Sequence, residues 1–211
     1  MHRRLIFPVI AMGVVVVISN ILVQRVFTPW PFLTYGAFTF PFAFLVVDTT
    51  NRILGAQDAR HVVLWGVGVG LLCSGAAALL GTESEPLITR RIALGSVVAF
   101  LVAQLINVQL FAFIRKVLPY RNDWWQAPVV SSTVSSIVDT CIFFTIAFGT
   151  QITWLGSLDD VAWANEILPL LDVGPQVPLW ISFLCADLLV KLLAIVLLLP
   201  IYRLIVSSIR H

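Results

Sequence analysis

Charge is what this chain lacks. Asp, Glu, Lys and Arg together make up 11% of its 211 residues, against about 25% in soluble domains. That is too little polar surface to cover a water-soluble globule. Particular chemistries are missing as well. No G-x-x-x-x-G-K-[ST] occurs, which excludes hydrolysis of ATP through a P-loop. The three histidines, His2, His61 and His211, fall at the ends of apolar runs, so an intramembrane Ser–His hydrolase would have no base. An aspartyl mechanism with Asp139 and Asp187 is the one enzymatic reading left, and a non-enzymatic role is expected. The three cysteines, Cys73, Cys141 and Cys185, lie in separate apolar runs without metal-type spacing. They read as small buried apolar residues, so neither a metal nor a cofactor is expected. A net charge of +2 gives nucleic acid no electrostatic footprint.

What is present is hydrocarbon. The chain is 59% hydrophobic, with a mean hydropathy of +0.98. Its apolar runs are continuous over about 20 residues, the length of a membrane-crossing helix, whereas barrel strands alternate over about 10. The expected fold is therefore all-α, a single polytopic membrane domain. Six spans are predicted, at 5–23, 33–54, 62–80, 92–114, 128–149 and 179–202. The start, MHRR before an apolar stretch, mimics a signal peptide but lacks an A-x-A-like site, so it reads as a retained first helix. In the second span the clean apolar part stops at Val47. Either Asp48 and Asn51 are carried inward, or the helix breaks near Pro41.

Basic residues set the orientation. With the N-terminus inside, Arg3, Arg4, Arg52, Arg60, Arg115, Lys116, Arg121, Arg203 and Arg210 fall on inner segments, and Arg25, Arg90 and Arg91 on outer loops. This bias predicts cytoplasmic termini. The longest loop, 150–178, carries four acids and no Lys or Arg. It falls outside, and Trp154, Leu155, Trp163, Ile167 and Leu168 suggest that part of it lies in the interface. A faint internal echo sets RRLIFPVIAMGVVVVISN against RRIALGSVVAFLVAQLIN, and VVDT (ending at Thr49) against IVDT (ending at Thr140). Three spans per half would make an inverted 3+3 repeat, the arrangement many secondary transporters build around a midplane site.

The few polar groups inside the runs are the candidates for function, because charge at membrane depth costs several kcal/mol per group. Counting 1.5 Å per residue from the outer boundary puts Asp48, Gln104, Asn107, Asp139, Asp187 and Lys191 about 12–22 Å deep. Asp187 and Lys191 are i,i+4 neighbours; they form either a structural pair or part of a site. Asp48 shares a face with Arg52, as a helix-end ion pair or gate. Asp139 shares one with Ser132, Ser135, Ser136 and Phe143, although such serines also serve simply to let helices approach closely. Carboxylates and amides without a metal-type cluster suit a planar, hydrogen-bonding solute. A guanine-like base offers N1–H and an exocyclic amine that one carboxylate can accept together. Phe42, Phe44, Phe143 or Phe144 could stack on its ring.

At these residues the chain resembles the bacterial queuosine precursor transporters, the vitamin uptake-like family. The resemblance rests on SNILVQ (19–24), YGAFTFPFAFLVVDTTNRILGAQDAR (35–60), RIALGSVVAFLVAQLINVQLF (91–111), WWQAPVVSSTVSSIVDTCIFFTIAFG (124–149) and ADLLVKLLAIVLLLPIY (186–202). It implies uptake of 7-cyano-7-deazaguanine and 7-aminomethyl-7-deazaguanine across the bacterial inner membrane, for later insertion into tRNA. It puts the family's polar positions on Asp48, Arg52, Gln104, Asp139, Asp187 and Lys191. It departs at Asn107, where an aspartate is expected, which bears on the cationic aminomethyl base and on any proton coupling. The expected site is Asp139, Asp187, Lys191, Gln104, Asn107, Asp48, Ser132 and Phe143, with Asp139 on the 2-amino and N1–H edge. Either Asp139 or Asp187 is a candidate to carry a coupling proton. The expected partners are the base and the lipid bilayer, with a homodimer left open. The alternative is the substrate-binding subunit of an energy-coupling-factor transporter.

Overall fold

In lipid a backbone can satisfy its N–H and C=O groups only within its own segment or in a closed barrel, and these long runs take the first course. The computed structural model describes residues 3–23, 25, 27–80, 90–118, 124–152, 154 and 157–208, with Arg3 and residues 77–80 described by backbone alone. The expectations placed on His2, His211, Arg121, Arg210 and Leu155 lie outside the described residues. The helices are α1 (Ile6–Leu22), α2 (Gly36–Thr39), α3 (Pro41–Ile53), α4 (Ala56–Leu80), α5 (Arg90–Val117), α6 (Gln126–Phe148) and α7 (Leu179–Ser208). Among the described residues, four helices, α4 (over Ala56–Ala76), α5, α6 and α7, are long and apolar enough to cross a membrane. The chain is an all-α polytopic membrane protein. Apolar α1 has 17 residues and α3 has 13, so by length neither matches these four.

Local chemistry explains where the boundaries differ from expectation. The second apolar run is interrupted between α2 and α3, where Pro41 has no N–H to give. Proline becomes the first residue of α3, the position where a helix has no use for that donor. Gly55, at φ +99°, sits in the left-handed region that favours glycine. Its N–H reaches back to the Thr50 carbonyl, and the chain re-enters helix at Ala56. The α4 helix therefore starts six residues before position 62, where the third span was expected to begin. Asp58 in its first turn complements the helix N-terminus.

Among its described residues, the segment 150–178 holds short 3-10 turns and a small hairpin, β1 (Ile167–Pro169) antiparallel to β2 (Gln176–Pro178), with Ile167 opposite Pro178. The sequence reading missed this hairpin; D-V-G-P at 172–175 was its turn signal. Trp154, Trp163, Ile167 and Leu168 are exposed.

The most extensive helix pair is α5 with α6, running antiparallel. Small residues permit it: Gly95, Ala99 and Ala103 on α5, and Ser131, Ser132, Ser135 and Ser136 on α6, are all buried. Its register is fixed at three points. Arg91 Nη1 donates to the Gly149 carbonyl at 3.1 Å, Gly95 packs on Phe143 and Ile146, and Asn107 and Ser132 share one acceptor, Asp48. Arg91 is thus not a loop cation as expected. It is 1% exposed and satisfies carbonyls past the end of α6, its second nitrogen bonding Ile152. Toward the C-terminal end of α5, Tyr202 of α7 meets Phe111 edge-on and stacks on Trp124, with Arg203 5.1 Å above the Trp124 ring.

A Cβ at Gly95 would lie 3.3 Å from the Phe143 carbonyl oxygen and 3.4 Å from Ile146. Gly95→Ala is expected to need a shift of only tenths of an ångström. Gly95→Leu is expected to lose about 1–3 kcal/mol through overpacking. Thermal unfolding of the two variants in detergent, beside the parent, measures the difference.

Candidate functional site

The helical spacing of Asp187 and Lys191 brings them together, and α6 supplies a second acid. Lys191 Nζ lies 2.6 Å from Asp187 Oδ2 and 2.7 Å from Asp139 Oδ2, and it donates to Thr140 Oγ1 at 3.0 Å. An ammonium has three N–H donors, and all three are used. The Thr140 hydroxyl donates to Asp187 Oδ2 at 2.8 Å, which closes a ring of three side chains, Lys191, Asp187 and Thr140, with Asp139 held to it through Lys191. These side chains are 5% (Lys191), 13% (Asp139) and 16% (Asp187) exposed. Two carboxylates around one ammonium leave one formal negative charge.

A second polar centre is built around Asp48. On α3, the Thr49 and Thr50 hydroxyls turn back to the Leu45 and Val46 carbonyls, leaving Asp48 and Asn51 to reach across to other helices. Asp48, 3% exposed, accepts from Asn107 Nδ2 of α5 at 2.6 Å and from Ser132 Oγ of α6 at 2.9 Å. Asn51 Nδ2 donates to the Val108 carbonyl at 2.8 Å. A cleft of about 290 Å³, a volume that includes its open mouth, lies against this centre between α3, α6 and α7. Asp48 and Ser132 are its buried polar lining, with Phe44, Pro128, Ile195 and Tyr202 among the rest.

The expected single set of polar groups is thus divided in two. Asp139, Asp187 and Lys191 converge at one level, and Asp48, Asn107 and Ser132 at another. Asp139, which has no cation near it in sequence, is paired with Lys191 through the fold. Gln104 joins neither centre directly. It is buried one turn from Asn107, and the α5–α6 register sets it level with Ser135 and Ser136. Gln104 Oε1, Asn107 Oδ1, Ser135 Oγ and Ser136 Oγ are all buried without a hydrogen-bond partner among protein atoms.

Two expectations are corrected. Asp48 makes no ion pair with Arg52 among the described residues; its carboxylate turns to Asn107 and Ser132, while the Arg52 carbonyl accepts from Arg115. Phe143 packs edge-on against Phe144 and Phe148 and does not line the cleft. Of the four aromatics considered for stacking, only Phe44 does, and Phe42 is exposed. Thr140 was missed, although its place beside Asp139 in IVDT was the available signal. Asn107 departs from the expected aspartate in an interpretable way. An acid there would set two like charges within hydrogen-bonding distance, whereas the amide donates to Asp48 and leaves it as a lone carboxylate.

No solved structure matches the chain. A probable queuosine precursor transporter of Haemophilus influenzae is 38% identical over 125 residues, covering 54% of this chain and 52% of the relative. The queuosine precursor transporter of Escherichia coli is 34% identical over 145 residues, 64% of each. A probable queuosine precursor transporter of Bacillus subtilis is 29% identical over 128 residues, 54% of this chain and 56% of the relative. The chain thus spans between about half and two-thirds of the length of these relatives. The family described as "Putative vitamin uptake transporter" matches residues 34–205, a stretch that contains every residue of both polar centres. The chain belongs to this vitamin uptake transporter family, in which it is similar to queuosine precursor transporters.

Proposed function

We infer that the chain is a secondary transporter that imports queuosine precursor bases, 7-cyano-7-deazaguanine and 7-aminomethyl-7-deazaguanine, across the bacterial inner membrane. The observation that carries this reading is the burial of an acid or amide on α3 and α5 and of an ammonium on α7, with Asp139 of α6 13% exposed against that ammonium, where a membrane helix otherwise presents hydrocarbon. Such groups mark substrate and ion pathways. The cleft at Asp48 encloses room for about one water in this state. In this reading α7 moves aside to admit the base, which lies along Phe44 with its donor edge toward Asp48. Asp139, Asp187 and Lys191 form the other station on the path. Their leftover negative charge would accept a base N–H, the aminomethyl cation, or a proton.

In the same reading the chain crosses the membrane six times with both termini in the cytoplasm, α1 and α2–α3 completing the set. Its halves are inverted, so that VVDT and IVDT are equivalent and each contributes the acid of one centre. Alternating access then rocks one half against the other about these two stations. A reporter fused after His211 is expected to be active only on the cytoplasmic side; activity outside would refute the orientation.

Uptake of labelled 7-cyano-7-deazaguanine by cells lacking a transporter of their own tests the function. Expression of this chain is expected to restore it, and Asp48→Ala or Asp139→Ala to reduce it about 10- to 100-fold, the value of one hydrogen bond to a charged group. Full uptake by both variants would remove these acids from the path. The chain reconstituted alone in proteoliposomes is expected to move the base; dependence on a co-purified ATPase would refute a secondary transporter.

Lys191 is expected to be the least replaceable residue. Lys191→Met leaves two acids buried side by side, and breaking a buried pair in this way costs about 3–5 kcal/mol. Asp139→Asn leaves the Lys191–Asp187 pair intact and is expected to cost less. Thermal unfolding in detergent ranks the two, and equal melting would argue against the ring as a structural unit.

A further inference from the structure

The run SSTVSSIVDT at 131–140 places polar residues in adjacent pairs every four positions on α6. Four residues is one helical turn, so Ser132, Ser136 and Thr140 lie above one another on one face, as do Ser131, Ser135 and Asp139. Both ends of the first row are tied to acids. Ser132 Oγ donates to Asp48, and Thr140 Oγ1 donates to Asp187 and accepts from Lys191. The middle of the row is Ser136, fully buried, with an unpartnered hydroxyl. Ser135 beside it is in the same condition, and Gln104 Oε1, level with both across the α5–α6 contact, is a third unpartnered oxygen. Ser131 is different: its hydroxyl is engaged with the Ala127 carbonyl of its own helix at 2.7 Å.

Close packing with small residues does not by itself call for hydroxyls; alanine would pack as well. Buried polar atoms in proteins are normally hydrogen-bonded, often to internal water. The spacing fits water. Side chains one turn apart are about 5–6 Å from each other. That is too far for a direct bond and matches two O–H···O bonds of about 2.8 Å through a single water.

We propose that α6 carries a water-bridged proton path, running from Asp48 through Ser132, Ser136 and Thr140 to Asp187, with Ser135 and Gln104 holding its waters in place. A proton arriving at one end protonates an oxygen of the chain. Each hydroxyl or water accepts a proton on a lone pair and releases its own to the next oxygen. One proton leaves the far end, so charge and atoms balance and no oxygen travels. The ligand of this path is water and its cargo is the proton. It rests on the import reading above and adds its driving force.

The charged and titratable groups that face the path are few. At the Thr140 end they are Asp139 of α6 and Asp187 and Lys191 of α7. At the Ser132 end they are Asp48 and Tyr202, which line the same cleft, with Arg52 one turn further on α3 and Arg115 of α5 at the Arg52 carbonyl. From α5 the path meets Gln104 and Asn107, both neutral. Asp58 and His61 of α4 are 4.0 Å apart on a half-exposed surface and stand away from it.

The test uses the full chain in proteoliposomes, with a pH-sensitive dye inside and labelled 7-cyano-7-deazaguanine outside. The parent is expected to acidify the lumen when the base is added, and to accumulate base when the outside is made acidic. Ser136→Ala and the Ser135→Ala/Ser136→Ala double variant are expected to lose gradient-driven accumulation by about tenfold, the effect of one buried hydrogen bond left unmade. Their exchange of labelled for unlabelled base, which needs no net proton, should persist. Ser131→Ala, an equal loss of volume from an engaged hydroxyl, should accumulate like the parent. Base movement by the parent without lumen acidification overturns the path, and this measurement needs no variant. So does undiminished accumulation by the double variant. If the parent neither exchanges nor accumulates the base, the import reading fails, and the path with it.

Discussion

An ammonium buried in a membrane bundle has to be surrounded, and the way Lys191 is surrounded sets much else. Its three protons go to Asp139, Asp187 and Thr140. Two of these acceptors stand on α6 and one on α7, so the three bonds join two long apolar helices. Side chains that meet lipid can slide with little penalty; a shared ammonium cannot, because losing one acceptor strands a charge at depth. The position of Lys191 thereby fixes which α6 residues face α7. Through the four-residue spacing of the serines it also fixes which face α5 and α3.

The α5–α6 contact is the complementary constraint. Gly95, Ala99 and Ala103 meet a serine-rich face, and the two backbones come close enough for Arg91 to reach the carbonyls beyond the far end of its partner helix. That closeness carries Asn107 and Ser132 to the same carboxylate on α3. Asp48 is therefore held by two helices that are themselves locked together, and its cleft opens where α7 passes. The two polar centres are products of a single packing arrangement.

Much of this was written in the sequence, although unevenly. The apolar runs gave the four long helices because length and hydropathy decide them locally. The Pro41 interruption was legible because a missing N–H has the same effect in any context. Asp187 and Lys191 could be paired from i,i+4 spacing alone. The Lys191–Asp139 pair could not, because it joins residues 52 positions apart and depends on how α6 and α7 turn toward each other. Arg91 was misplaced for a related reason. Counting basic residues treats a cation beside an apolar run as solvent-facing, and only the α6 terminus, 58 residues on, gives it a reason to be buried. Helical rise put all the acids near mid-depth and could not divide them, because an error of a few residues at each boundary equals the spacing between the two centres.

That spacing has an electrostatic consequence. Ser132 and Thr140, which mark the two centres on α6, are eight residues apart, or about 12 Å of helix. With every acid ionised, each centre carries one formal negative charge: Asp48 with its neutral donors, and two acids against one Lys191. At an effective dielectric near 20, two such charges repel by about 1.4 kcal/mol, close to a factor of ten. A proton or cationic group that neutralises one centre therefore removes about that much of the incentive to neutralise the other. Single occupancy is favoured over double, and a positive charge delivered to one end weakens the hold on a charge at the other end. Had residue 107 been an aspartate, the α3 centre would hold a second acid and this balance would be lost.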